Sequence, residues 1–564
     1  MMTLRDANLR YAKYYELQLR NADKLYVKGD TSIQQSLKIF EEELENIRTG
    51  QALVEEMSRQ GDAEAAQLCV SYPMCGANLL HLRLFPGEQI QWGEAALTAA
   101  RNLQDRRAEA ITLSNLGMAY EISGELITAL EYQNQALKLA RQIYDRFTEE
   151  TTLGNLGSAY QSLNQFRRAI EVYAEQLAVA KEIKDERGAA NALMNTGNSY
   201  FSLGSNRTAI VFYGKALKIY RKIQDRRGVG RVLGNLGNVY AEMGNPSKAV
   251  KLHRQDLEIS RELDDRHGEA QAIGSIGAAY ADLGDLKKAI EYYLLRLEIS
   301  KEINDRKSLT QTLSNLGAAY ADLGQVRRAI DYYEQSLAVS LETADRDGEA
   351  TALINLGLAY WREGNFNEAK TKAMESLEIA LEIEDPRCQQ SALGCLGLIA
   401  HSMQEFKDAI NFYELSLEIA RQIEDKNTEA ICLMNIGDAL RQLQDYEQAS
   451  VFSKKALSIF RQTGNLFQEA NVLMNLGNIF SSLNKPKQAI LYYKKALSVS
   501  RCTGNTIGEA NSLYNYSLEI YKKGDGEGAL AAADDALRIF RRLGDVNNIN
   551  RVEHRLLEWR MTPP

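Results

Sequence analysis

LSNLGAAY, residues 313–320, is one copy of an octet that returns every forty residues along this chain. Before it stand LSNLGMAY at Leu113, LGNLGSAY at Leu153, LMNTGNSY at Leu193, LGNLGNVY at Leu233 and IGSIGAAY at Ile273. After it come LINLGLAY at Leu353, LGCLGLIA at Leu393, LMNIGDAL at Leu433, LMNLGNIF at Leu473 and a worn copy, LYNYSLEI, at Leu513. No insertion or deletion breaks the step. A fixed period of this length is the mark of stacked repeats, each too small to bury its apolar face alone.

Counting Ala110 as position one gives each position a physical reading. Position eight is glycine in ten copies, from Gly117 to Gly477. Glycine inside a helix costs about 1 kcal/mol against alanine, so something large must approach the backbone there. Position twenty is alanine from Ala129 to Ala529, for the same reason. Position eleven is mostly tyrosine, as at Tyr120 and Tyr320, a large residue for the gap between two helices. Positions four, seven, eight and eleven share one helical face and form the expected buried stripe. A polar turn such as Leu283-Gly284-Asp285 follows, then a second amphipathic helix, such as KKAIEYYLLRLEISKEI from Lys287. Aspartate recurs at position thirty-six (Asp105, Asp145, Asp185 and onward), where it can cap the next unit's first helix, with Glu109, Glu269, Glu349 and Glu429 in that helix's first turn.

These motifs resemble the tetratricopeptide repeat, whose usual unit is thirty-four residues. The forty-residue spacing, the N-L-G-N core and the D-R-x-G-E linker are closer to the Pins/LGN subgroup, with kinesin light chains and bacterial adaptors similar. The resemblance covers roughly residues 90–549. It implies an all-α, right-handed superhelical α-solenoid of stacked antiparallel helix pairs. It also implies a protein- or peptide-binding adaptor or scaffold working through its concave groove. The chain stops soon after the last repeat, which leaves no expected GoLoco tail. No unit carries lysine at position five, so the Hsp70 and Hsp90 C-terminal tails are not expected partners.

The expected organisation is an N-terminal helical cap or connector over 1–69, twelve repeats over 70–549, and a closing helix and tail over 550–564. The first and last repeats are degenerate. In the last segment Val552, Leu556 and Trp559 stand at helical spacing. The N-terminal stretch resembles the helical connector of some bacterial STAND-type ATPases.

Chemistry is sparse. GVGRVLG (Gly228 to Gly234) follows a helical pattern rather than a strand and is no phosphate loop. The histidines His81, His253, His267, His401 and His554 are scattered, so no metal or cofactor site is expected. Cys395 reads as a buried, inert thiol. The net charge of −8 has both signs interspersed, which argues against nucleic acid and anionic membranes. The six cysteines without a C-x-x-C pair, and the lack of any membrane-length apolar run, give a cytoplasmic expectation. No catalytic residue is expected.

The groove is expected from positions two, five, nine and twelve, opposite the buried stripe. The candidates are Asn198, Phe201, Arg231, Asn238, Glu242, Gln271, Asp282, Gln311, Asp322, Ile354, Leu358, Trp361, Arg441 and Asn478. Small residues in the middle, such as Gly234, Gly274 and Ser314, either admit a ligand close to the backbone or permit tight winding. The acids Glu242, Asp282 and Asp322 favour a ligand with a basic segment. Trp361, flanked by Ile354 and Leu358, reads as an exposed anchor or, if the helix is rotated, as core. Met434, Met474, Tyr514 and Tyr521 continue an apolar lining. The near-invariant asparagine at position six (Asn115 to Asn515) either holds a peptide or bonds the neighbouring unit. The rival reading is a regulatory or sensor subunit, of bacterial signalling type, that controls a separately encoded protease or ATPase or responds to a peptide.

Overall fold

The structure, a computed structural model, describes residues 3–28, 32–77, 79–80 and 84–561. Among the described residues every regular element is a helix. They form two compact units, Met1–Asn304 and Asp305–Pro564.

Within each unit the forty-residue period becomes a pair of helices. Arg266–Asp282 and Leu286–Glu302 are one pair, and Arg346–Glu363 and Phe366–Glu382 another. Within a unit each helix packs on the one before and the one after, and successive first helices also touch, as Arg346–Glu363 does Pro386–Ser402. The position thirty-six aspartate starts each first helix: Asp265 accepts from the Gly268 amide and Asp345 from that of Gly348. The preceding residue adopts a left-handed conformation that ends the second helix, with φ near +53° at Asp264 and Ala344. At the other turn of the pair the left-handed residue is usually glycine, as at Gly284.

The packing explains the small residues. Alanine at position twenty is fully buried in every copy from Ala129 to Ala529. A methyl built on Gly317 would lie 2.5 Å from the Tyr333 ring, and one on Gly157 would lie 2.4 Å from that of Tyr173. In six of the ten copies the large group at position eight is therefore a tyrosine ring from position twenty-four of the paired helix. The position eleven rings lie half-buried and stack on position twenty-three, as Tyr320 on Tyr332 with centroids 5.3 Å apart.

A second recurrence is electrostatic. The first-turn glutamate, buried at Glu149, Glu269, Glu429 and Glu469, receives an arginine from the preceding helix: Arg141, Arg261, Arg421 or Arg461 at 2.8–3.0 Å. The helix dipole is thus only part of why glutamate stands there.

Helices Leu4–Lys28, Ser32–Arg59 and Ala63–Cys75 precede the array and bury Leu19, Phe40, Tyr72 and Trp92 in one cluster. The expected 69/70 boundary falls inside Ala63–Cys75, and 549/550 falls inside Val546–Met561. That last helix buries Val552, Leu556 and Trp559, and Trp559 stacks on Tyr521 at 4.3 Å. Among the described residues no helix is long and apolar enough to cross a membrane.

Candidate functional site

In Met1–Asn304 the pattern fails most heavily in the repeat spanning 230–269, and a polar cavity of about 380 Å³ opens there. Position one is Gly230 and position five Gly234, both on helix Arg226–Glu242. Across from them, on Pro246–Glu262, position twenty-four is His253 instead of tyrosine and position twenty-seven is Asp256. In three other repeats position twenty-seven is serine, and Ser336, Ser376 and Ser416 donate to the position-one carbonyls of Thr310, Ala350 and Gln390 at 2.9–3.2 Å; in five more it is alanine. An ionised carboxylate has no proton to give such a carbonyl.

The glycines accommodate this substitution. A methyl on Gly234 would lie 2.7 Å from Asp256 Oδ2, and one on Gly230 would lie 2.9 Å from Oδ1. The same device recurs where a long polar side chain occupies position twenty-seven. A methyl on Gly154 would meet Gln176 at 2.8 Å, and one on Gly274 would meet Arg296 at 2.7 Å. The slim positions thus make room for polar side chains reaching up from the second helix, which neither sequence alternative foresaw.

Asp256 has no hydrogen-bond or ion-pair partner among the described residues. Burial lifts its carboxyl to about 7, with Asp265 adding to the rise. His253 is only 2% exposed, burial presses its imidazole down to about 4, and its Nδ1 lacks a partner among the described residues.

Four sequence candidates line this cavity: Asn198, Arg231, Asn238 and Gln271. Asn198 Oδ1 accepts from the Tyr213 hydroxyl at 2.7 Å and from Asn235 Nδ2 at 3.0 Å, which leaves its NH2 for the cavity. Asn478 is held alike, by Tyr493 at 2.8 Å and Asn515 at 3.3 Å. Position-six asparagines therefore reach the neighbouring repeat through side chains, and Asn155 bonds Ser114 Oγ at 3.1 Å in the same sense. At Asn238 the relay is absent, because His253 replaces the tyrosine and Ser275 replaces the asparagine. Asn238 is exposed there without a partner among the described residues. Arg231 and Gln271 are exposed at the rim, and Arg231 also lines a neighbouring opening with Asn191 and Asn195.

The remaining candidates are dispersed. Phe201 is half-buried against the Tyr213 cluster. Glu242 and Asp282 are exposed, as is Gln311. Asp322 already pairs with Arg362 at 3.0 Å. In Asp305–Pro564, Ile354 and Leu358 line an open pocket of about 850 Å³ with Leu398, Ile431 and Gly394. Trp361 is half-buried rather than fully exposed. It lies against Leu358 and Cys395, and its indole N–H donates to Ser402 Oγ at 2.7 Å. Tyr514 is likewise core, and Tyr521 is covered by Trp559. Arg441 donates to Asp438 Oδ1 at 2.8 Å, and His401 Nε2 lies 3.2 Å from Asp438 Oδ2. Burial works to raise the Asp438 carboxyl, but the hydrogen bonds and charge supplied by His401 and Arg441 outweigh it and hold it below its ordinary value.

Asp256 and His253 escaped the sequence reading because they stand on second helices. Their signal was a break at positions twenty-four and twenty-seven, which only a register of both helices exposes. Among the described residues Asp347, Asp385 and Cys388 bring donor atoms within 4.8 Å of one another. Asp385 is spent on capping the Arg387 and Cys388 amides, and burial pushes the Cys388 thiol up to about 12, so the trio is poorly disposed to bind metal. Cys395 is buried and its thiol is pushed up to about 12 by that burial. His81 lies outside the described residues.

A tetratricopeptide repeat profile matches residues 148–222, 228–302, 308–382, 389–462 and 429–501, and a second one matches 110–147. A search of curated proteins finds no match. Solved structures show similarity at low identity. BtubC from P. vanneervenii is 21% identical, with TM-score 0.36 over 39% of this chain and 92% of that one. A STAND protein with a tetratricopeptide repeat sensor from Pyrococcus horikoshii is 18% identical, with TM-score 0.45 over 69% and 55%. The apo quorum sensor NprR from B. thuringiensis is 16% identical, with TM-score 0.44 over 64% and 99%.

Proposed function

The chain belongs to the tetratricopeptide repeat family, and on that premise we propose that it is a non-enzymatic adaptor that binds a protein or peptide ligand along its first-helix face. One observation carries the reading. The repeat 230–269 lacks the Asn–Tyr–Asn relay of the repeat before it and presents unpartnered polar groups at a cavity sized for side chains. Giving up satisfied bonds at one place in a regular array lowers stability there, and a ligand that restores them recovers it. Glu242 and Asp282, exposed without partners among the described residues, favour a basic segment in that ligand. The cytoplasmic setting belongs to the same proposal and fits the six free cysteines. So does the division into N-terminal cap, repeat array and closing helix.

The test is capture of partners from native lysate by the wild type, by a groove variant (Glu242→Lys with Asp282→Lys) and by a second-helix variant (Lys251→Glu with Glu258→Lys). Loss of the partner with the groove variant alone is expected; equal recovery by all three proteins contradicts the reading. A regulatory or sensor subunit would use the same groove, and it separates from a static adaptor by a ligand-dependent change in solution scattering.

A further inference from the structure

Resting on the peptide-binding reading, we propose that the cavity around Asp256 is a subsite for a single guanidinium group, the arginine side chain of the bound segment. A charged group held away from water without a partner is costly unless a counter-charge arrives. Asp256 is half-buried at the cavity and unpaired among the described residues, its oxygens filling the space that side chains at 230 and 234 would take, so a counter-charge arriving there favours its ionised form. The buried His253 beside it is neutral at pH 7, and its Nδ1 is unpartnered among the described residues.

The chemistry of the lining favours a guanidinium over an ammonium. A guanidinium presents five N–H donors in a plane and wants acceptors at several points of one rim. The Asp256 carboxylate supplies one edge, and the side-chain carbonyls of Asn238 and Gln271 supply others on the same cavity. A volume of about 380 Å³ suits one extended side chain. Arg227 and Arg231 also line it, so a second cation would be repelled and the count stays at one.

Panning a random peptide library against the full chain and its Asp256→Asn variant tests this, because the amide keeps the shape and removes the charge. Peptides selected on the wild type should carry arginine at one position, enriched about tenfold over the library, and should bind Asp256→Asn about thirtyfold more weakly. Exchanging that arginine for citrulline should weaken binding to the wild type as much, and exchange for lysine less. Selected peptides without the arginine, or with equal affinity for both proteins, would overturn the subsite while leaving peptide binding in place. Recovery of no peptide by either protein would overturn the binding reading itself, and the subsite with it. Thermal unfolding of Asp256→Asn confirms that any loss is not misfolding.

Discussion

Gly234 and Asp256 are matched across two helices: the carboxylate occupies the space that a side chain at 234 would take, 2.7 Å from where its Cβ would stand. This pairing makes the effect of an alanine depend on its neighbour. Gly234→Ala should lower the unfolding midpoint, because the carboxylate has to shift, although alanine is the better helix former by about 1 kcal/mol. In an Asp256→Ala background the same change should be stabilising. Gly394, also at position five, faces open space, so Gly394→Ala should stabilise the chain alone. Denaturant unfolding of the four variants checks the set, and additivity of the 234 and 256 changes would count against it.

The pH dependence carries a definite sign. The folded Asp256 carboxyl is raised to about 7 from an ordinary value near 3.8. Between those values the folded chain holds more protons than the unfolded one, so this group's contribution to stability falls as pH rises from about 4 to 7. Asp265, His253, His267, Arg227 and Arg231 face the same cavity, and only the comparison with Asp256→Asn isolates the effect. That variant should unfold at a higher temperature than the wild type at pH 8, and the gap should close as pH approaches 4. A gap of constant size would refute the assignment.

Asp438 should behave in the opposite sense. His401 and Arg441 hold it below its ordinary range, so its contribution is present at neutral pH and is lost as pH falls through the folded value. Asp438→Asn should therefore destabilise at pH 7 and matter less in acid, as read from unfolding midpoints at both pH values.

Much of the fold is legible in the sequence because it is repeated: Gly317, Ala329 and Asp305 each state a packing or capping need that at least nine other repeats state again. Local exceptions are harder. Trp361 occupies a groove position by register, yet a half-turn of context and the hydroxyl of Ser402 turn its indole into a packed, bonded residue. Asp256 sits on a helix whose inward positions vary, so its isolation shows only when Gly230 and Gly234 are placed opposite it. Periodicity identifies what is shared, whereas the candidate site lies in what one repeat does differently.

For Trp361 the consequence is measurable. Trp361→Phe should cost about 1 kcal/mol through the lost bond to Ser402, and Ser402→Ala should cost little more when combined with it. Ligand capture should be unchanged, which an anchor role would not allow.

Overpacking tests the inter-helix contact. Gly317→Ala sets a methyl 2.5 Å from the Tyr333 ring and should destabilise by about 2 kcal/mol. Calorimetry on the full chain reads the shift, and a neutral result would mean the two helices separate freely.

The central claim is that ligand lies on the first-helix face beside Asp256. Its most direct measurement is site-specific photocrosslinking, with the photoreactive residue placed at Gln271 on the groove rim or at Glu258 on the exposed side of the second helix. The account predicts a crosslinked ligand from position 271, competed away by a selected arginine peptide, and none from position 258. Crosslinks from 258 with silence at 271 would contradict it.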